Sequence, residues 1–516
     1  MNGTPLILGA SLLAALASAG CGGEREPDAL RLALETEPST LDPAFAVDYS
    51  SGLVSSLIHG TLVAFEPDGT LAGQIASRWT VSDDGLEYVF IIGGARFSDG
   101  TPVTARGAAR SLMRLLDPST ASPRWWVLEP VRGAASFHAG KAPMRDGIEA
   151  ADDTTLIIRL ERPASHLPSL LAMPAAGIVP AGIADSLGRG YGRAPVGSGP
   201  WRLASWAAGD EIVLERNPFA ERPPRLERIL MRVIPEPMTR IAEFEVGNLD
   251  LLEVPVAEIG LWRSAGPELL SGLELRVGYI GLNTEKAPLD DRRVRRALNM
   301  AVDVDAIIEH VLFGAARRAD GVVPPPLRRG PPPPRPYRFD PAAAAALLAE
   351  AGYPEGFAME IWQRENPEAG RVLEAVQGYL GAVGVEARIV TREWSAFKEA
   401  VDRGTPDAFY LDWFADYPDP ENFLVPLFHS SNRGGGGNRS RYADRRVDSL
   451  LDAAAALSDP DRRWLLYREA EEIVTGDAPW IFLWFPVRHQ VVSSRLAGYR
   501  MPVIFNGQRF TEAELR

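Results

Sequence analysis

Residues 413–420 read Trp413-Phe414-Ala415-Asp416-Tyr417-Pro418-Asp419-Pro420, an apolar strand end running into a turn with two carboxylates and two prolines. Residues 408–413 ahead of it are β-rich. The prolines stop a strand ladder, because proline has no N–H to give it. Asp416 therefore stands where a strand leaves its sheet. A carboxylate there either caps the donors of its own turn or meets a ligand, and the local sequence alone leaves both open.

Working outward, residues 359–362 and 386–390 have the same strand character, with a helical pattern over 370–380 between them. Strands and helices interleave in this way throughout, which predicts an α/β fold. Residues 462–474 read as a helix, and the apolar run 480–485 is too short to cross a bilayer. Residues 292–312 read as one long amphipathic helix opened by Asp290-Asp291. Residues 324–336 are so dense in proline that an extended loop is expected.

In the first half, residues 30–34 alternate as a strand and 38–43 as a turn, and residues 54–65 fit either helix or strand. Trp79-Thr80-Val81, Ser82-Asp83-Asp84-Gly85 and residues 86–92 make a hairpin signal. Ser98-Asp99-Gly100 leads to Thr104, a suitable N-cap for a helix over 105–116. Asp152-Asp153 opens a strand over 154–160, and 212–214 and 228–234 read as further strands. Gly197-Ser198-Gly199-Pro200 reads as a tight turn.

At 516 residues the chain exceeds one hydrophobic core, so two or three domains are expected. Its 46% hydrophobic and 24% charged content is that of a soluble globular protein. A formal net charge of −14 argues against nucleic acid or an anionic membrane surface as the main partner. Residues 6–19 form an apolar stretch of signal-peptide type that ends in Ser18-Ala19-Gly20 before Cys21, the single cysteine. That placement resembles a bacterial lipoprotein processing site, in which the thiol is acylated. No Lys or Arg precedes the apolar core, and Ser18 stands where leucine is usual. The alternative is a cleaved secretory peptide with an unmodified cysteine. Residues 1–20 are thus read as a signal peptide and 21–29 as a lipid-anchored tether. One cysteine allows no internal disulfide.

Enzyme chemistry finds little to stand on. The histidines, His59, His138, His166, His310, His429 and His489, form no metal-ligand spacing, and no nucleophile elbow or phosphate loop is present. Acid pairs such as Asp83/Asp84 and Asp290/Asp291 sit in turn or cap contexts. The expectation is a protein that is no enzyme and has no cofactor and no metal.

Several stretches recur in a distinctive order. They are Thr40-Leu41-Asp42-Pro43, Phe97-Ser98-Asp99-Gly100-Thr101-Pro102, Val196-Gly197-Ser198-Gly199-Pro200-Trp201, Arg216-Asn217-Pro218, Asn283-Thr284, Asp291-Arg292-Arg293-Val294-Arg295, Glu350-Ala351-Gly352-Tyr353 and, most telling, residues 413–420. Together they resemble the bacterial extracellular solute-binding proteins of family 5, which serve ABC importers of oligopeptides, dipeptides and nickel. The resemblance implies a periplasmic-binding-protein type II-like fold, with two large lobes joined by a hinge and a smaller inserted lobe. Lobe I would comprise 30–45, 165–276 and 481–516, lobe II 46–164 and lobe III 277–480. The hinge crossings would fall near 275–279 and 478–483.

The implied function is capture of short peptides between lobes I and III by hinge closure, and delivery to the permease subunits of the importer. A receptor for many peptides must hold what they share, an amine, a carboxylate and a backbone ladder. By resemblance Asp416 pairs with the ligand amine, residues 412–415 (Asp412, Trp413, Phe414 and Ala415) pair with its backbone, Trp413 walls the cleft, and Glu37 reaches the ligand from lobe I. Some oligopeptide receptors carry arginine where this chain has Tyr410, which leaves the partner of the ligand carboxylate and the preferred length open. Oligosaccharide, opine, haem or nickel chelate could occupy the same scaffold. A secreted hydrolase and a chaperone-like or adhesive lipoprotein are the readings of another class. A monomer in the periplasm or at the cell surface, held by Cys21, completes the expectation.

Overall fold

The computed structural model describes residues 29–264, 268–330 and 337–516. The expected signal peptide, Cys21 and nearly all of the tether lie outside the described residues, as does 331–336 of the proline-rich segment.

Three sheets organise the chain. Ala29–Leu34, Arg228–Val233, Glu211–Arg216 and Trp201–Ala207 form the first, in that order, with Ala29–Leu34 an edge strand. Its alternation buries Leu30, Leu32 and Leu34 against Ile212, Leu214, Ile229, Met231 and Trp201. Ala76–Val81, Glu87–Ile92, Thr155–Arg159 and Ile148–Ala150 form the second. The expected hairpin turn is there, with Gly85 at φ +70°, a value glycine reaches without strain. Thr104 Oγ1 accepts from the Gly107 amide at 3.1 Å and starts the helix Ala105–Leu116, as its position predicts.

The third sheet has eight strands. Its path runs Leu251–Glu253, Trp480–Val492, Arg276–Leu282, Ala408–Phe414, Phe357–Arg364 and Val385–Arg392, with Leu269–Leu273 and Ala316–Arg318 added on Trp480–Val492. The apolar run at 480–485 is the start of that 13-residue strand. Its first half pairs with Arg276–Leu282, and its second half with Leu269–Leu273 and Leu251–Glu253, so one strand serves two regions of the molecule. Trp480 lies flat on Tyr279, with ring centroids 3.5 Å apart. Among the described residues no helix is long and apolar enough to cross a membrane.

Two sequence expectations change. Residues 292–312 divide into Arg292–Ala301 and Val304–His310, because Asp303 turns its carboxylate to the Ala306 amide (3.0 Å) and caps a second helix. Residues 54–65 hold both alternatives in succession, the helix Tyr49–Ile58 and the strand Val63–Phe65. The glycines at 197 and 199 owe their place to close approach. The Gly199 amide donates to the Ile58 carbonyl at 2.8 Å, and a Cβ on Gly197 would lie 2.1 Å from that oxygen. Asp42 ties the start of the chain to the inserted region through Arg114, at 2.7 and 3.0 Å, with both side chains buried.

Glu471 is fully buried and accepts from the Val322 and Val323 amides at 2.6 and 2.8 Å. Burial pushes its carboxyl up to about 7 from an ordinary 4.5, with Arg328 opposing the rise. Because the folded form holds its proton more tightly, this group favours folding fully below pH 4.5. That contribution is lost as pH rises through about 7. Glu471→Gln keeps the acceptor and abolishes the titration, so its thermal midpoint should fall less than that of the native protein between pH 5 and 8. Parallel pH slopes for the two proteins would contradict this.

Candidate functional site

Ala408–Phe414 pairs antiparallel with Arg276–Leu282, and the Ala415 amide extends the ladder by donating to the Leu275 carbonyl at 2.9 Å. Backbone groups alternate sides along an antiparallel strand. Residues 411 and 413 therefore bond toward Arg276–Leu282, while Tyr410, Asp412 and Phe414 turn theirs the other way. On that side Phe357–Arg364 pairs at Ala408 and Phe409, a register that also takes up the Tyr410 amide, so the edge is open at Asp412 and Phe414.

The turn after the strand is held from below. Asp419 accepts from both terminal nitrogens of Arg463, at 3.0 and 3.1 Å, inside the protein, and its carboxylate also receives the Glu421 amide at 2.9 Å. Tyr417 is buried, bonded to Glu421, and stacked parallel to His166 at 5.9 Å. The Asp416 amide donates to Asn422 Oδ1 at 3.0 Å. Its carboxylate makes no ion pair among the described residues. Burial against the wall raises this carboxyl above its ordinary 3.8, with Arg124 the nearest influence in the other direction.

Two cavities meet in front of this turn. One, of about 420 Å³, is lined among others by Tyr49, Arg124, Met173, Phe414, Asp416 and Arg488. The other, of about 290 Å³, reaches Leu32, Ala33, Leu34, Glu35, Arg240 and Glu253. Tyr49, Glu274, Phe414, Arg488 and Phe505 belong to both, so the two form one cleft. Its far wall is the edge strand Ala29–Leu34. There the Arg31 amide and carbonyl are bonded to Asp250, and Ala33, next on the same side, faces the cavity. The cleft thus has an open strand edge on each side.

Of the residues singled out in the sequence, Phe414, Ala415 and Asp416 line the cleft, and Phe414 leaves 57% of its surface exposed to it. The others lie elsewhere. The Asp412 carboxylate is engaged by Arg276 Nε at 2.8 Å, and that guanidinium also covers the Phe414 ring at 4.6 Å. Trp413 points to the opposite face of the strand and packs on the large core, as alternation requires. Tyr410 packs on the separate core around Ile280, Leu298 and Ile361. Glu37 accepts from Trp206 Nε1 (2.9 Å) and the Gly209 amide (3.1 Å) and lines neither cavity. Glu35, two residues earlier, lines the smaller cavity beside the strand Ala29–Leu34. Tyr49, Arg124, Glu274 and Phe505 carry no local signal, because only the tertiary fold assembles them. Arg488 sits in the polar stretch Arg488-His489-Gln490 within the strand Trp480–Val492, which marks no site by itself.

The cleft thus lies between two sheet edges, beside the long strand Trp480–Val492 that pairs with both regions of the third sheet. The comparisons give the class. The model for "bacterial extracellular solute-binding proteins, family 5 Middle" matches residues 70–435. The chain is 33% identical to heme-binding protein A of Haemophilus influenzae, covering 90% of this chain and 88% of that protein. It is 30% identical to the glutathione-binding protein GsiB of Salmonella typhimurium, covering 93% of each. The unliganded open form of the murein tripeptide binding protein MppA superposes with a TM-score of 0.83 at 25% identity, over 95% of this chain and 98% of that one.

This chain belongs to the extracellular solute-binding proteins, family 5. It has the type II periplasmic-binding-protein fold that the resemblance implied. Its family consists of periplasmic binding components of ABC importers that take peptides or related ligands, rather than enzymes.

Proposed function

We propose that this protein captures short peptides, with Asp416 receiving the ligand amine, and hands them to the permease of an ABC importer. Lobes I, II and III take the residue ranges that the resemblance implies, and Cys21 is the site of the lipid anchor. The observation that carries the reading is the pair of strand edges, at Ala33 and at Asp412 and Phe414, with Ala33 and Phe414 lining one cleft and a carboxylate without an ion-pair partner at its end. A peptide backbone is the ligand that satisfies two such edges at once, while its side chains point into the remaining space. The murein-tripeptide and glutathione specificities of similar proteins agree with an amine-bearing ligand of this size.

The test is thermal stabilisation of the ligand-stripped protein by di- to pentapeptides, by glutathione and by their N-acetylated copies. A ligand that binds only the folded form raises the midpoint with concentration. Stabilisation by the free peptides that disappears on acetylation is expected. Stabilisation by haem or sugars with none by any peptide would overturn the assignment.

A further inference from the structure

A third cavity, of about 400 Å³, lies apart from the cleft. The hairpin Val63–Phe65 and Leu71–Gly73, the turn at Ser198 and the C-terminal segment 498–512 contribute its walls. It has no lining residue in common with the cavity in front of Asp416. With the smaller cavity of the cleft it shares Gln508 alone. That side chain is engaged at both ends, by the Arg500 carbonyl at 2.8 Å and the Phe510 amide at 2.7 Å, and it separates the two spaces.

Apolar residues line much of the third cavity, among them Phe65, Ile75 and Ala95, all buried. The Arg509 guanidinium is set among them. Trp201 Nε1 donates to the Arg509 carbonyl at 2.9 Å and fixes the backbone there. Arg509 Nη1 donates to the Phe65 carbonyl at 3.0 Å, its one side-chain hydrogen bond among the described residues. Its Nε is buried with no partner, and it makes no ion pair among those residues. Burial pulls this guanidinium down to about 10, with Glu66 opposing the fall.

Two further polar groups of the lining are unmet among the described residues. Ser198 Oγ is buried without a partner. Gln74 accepts from Thr61 through Oε1, at 2.8 and 3.0 Å, and its amide N–H groups have no acceptor. The other charged residues of the lining, Glu66, Glu221, Arg222, Arg500 and Glu512, are all exposed, where water and salt screen them. Inside, one cation stands without a counter-ion. Holding it there is costly, and an entering anion offsets that cost.

We propose that this cavity is a second ligand site, for a small organic acid whose carboxylate meets Arg509, Ser198 and Gln74 and whose apolar body rests on Phe65, Ile75 and Ala95. A guanidinium suits a carboxylate, whose two oxygens match its paired N–H groups. One cation balances one negative charge. A doubly charged phosphate would keep the second charge uncompensated near Glu66. The site uses no residue of the peptide reading and stands apart from it.

Calorimetric titration of the full-length protein with benzoate and cyclohexanecarboxylate tests this, with benzamide and inorganic phosphate as controls. Both acids should bind at least about tenfold more tightly than either control, the difference one charge-assisted contact makes. Arg509→Gln should remove that preference, Arg509→Lys should recover part of it, and Ser198→Ala should weaken the acids by a smaller factor. Arg124→Gln and Arg488→Gln, which remove cations of the ligand cleft, should bind the acids as the native protein does. Native protein that binds neither acid, binds benzamide equally well, or prefers phosphate would overturn the proposal. So would an undiminished preference in Arg509→Gln, or its loss in either cleft variant, which would place the acid in the cleft. Should Arg509→Gln not fold, Ser198→Ala, which deletes a single oxygen, decides the location, and unchanged acid binding there would overturn the proposal.

Discussion

Asp416→Asn should lower the affinity for free peptides by about two to three and a half orders of magnitude, with little change in the stability of the unliganded protein. The carboxylate sits at the cleft wall with no ion pair among the described residues, and burial raises its pKa although Arg124 nearby opposes the rise. A ligand ammonium enclosed there replaces water with one opposite charge. Removing that partner strands the ammonium at a cost of about 3–5 kcal/mol, each 1.4 kcal/mol being tenfold in affinity. Were Asp416 only a turn residue, the asparagine, which also caps turns, would bind peptide as the native protein does. The pH dependence has a fixed sign. Pairing requires the ionised carboxylate, so affinity should fall as pH drops towards the raised value, and should be flat there in Asp416→Asn.

The second large effect falls on stability. Asp419→Ala leaves the Arg463 guanidinium buried without its two-oxygen partner and should cost about 3–5 kcal/mol. Chemical denaturation reads the loss directly. The double replacement Asp419→Leu with Arg463→Met removes both charges and should recover most of it, because apolar groups of similar size often replace a buried pair without loss. A single variant as stable as the native protein would mean that water already reaches the pair. The two carboxylates of residues 413–420 thus divide their work. Asp419 anchors the turn to the helix Pro460–Asp477, and Asp416 faces the cleft.

Much of this was legible in the sequence because the signals are local. Thr104 caps its helix, Gly85 closes its hairpin, and the strands around 359–362, 386–390 and 408–413 lie where β-rich runs were read. The long helix predicted over 292–312 failed on a competition between two local rules. Amphipathic spacing continued through Asp303, but its side chain offered a cap, and the cap prevailed. At the site, the resemblance led to Asp416 and its neighbours. Strand alternation then assigned Trp413 to the core and Phe414 to the cleft, a choice that the motif by itself does not make. Glu35 and Glu37 are separated by one residue, and the hairpin Trp201–Arg216 claims Glu37 through Trp206 and Gly209. Tyr49, Arg124 and Arg488 come from three distant parts of the chain, and nothing short of the packed lobes could bring them together.

The most direct test of the account is a double cycle. The binding free energy of one tripeptide and its N-acetylated copy is measured on the native protein and on Asp416→Asn. The account predicts that acetylation and the substitution each remove the same contact, so the second change costs almost nothing once the first is made. Two losses that simply add, or a native protein that binds the acetylated copy equally well, would contradict it.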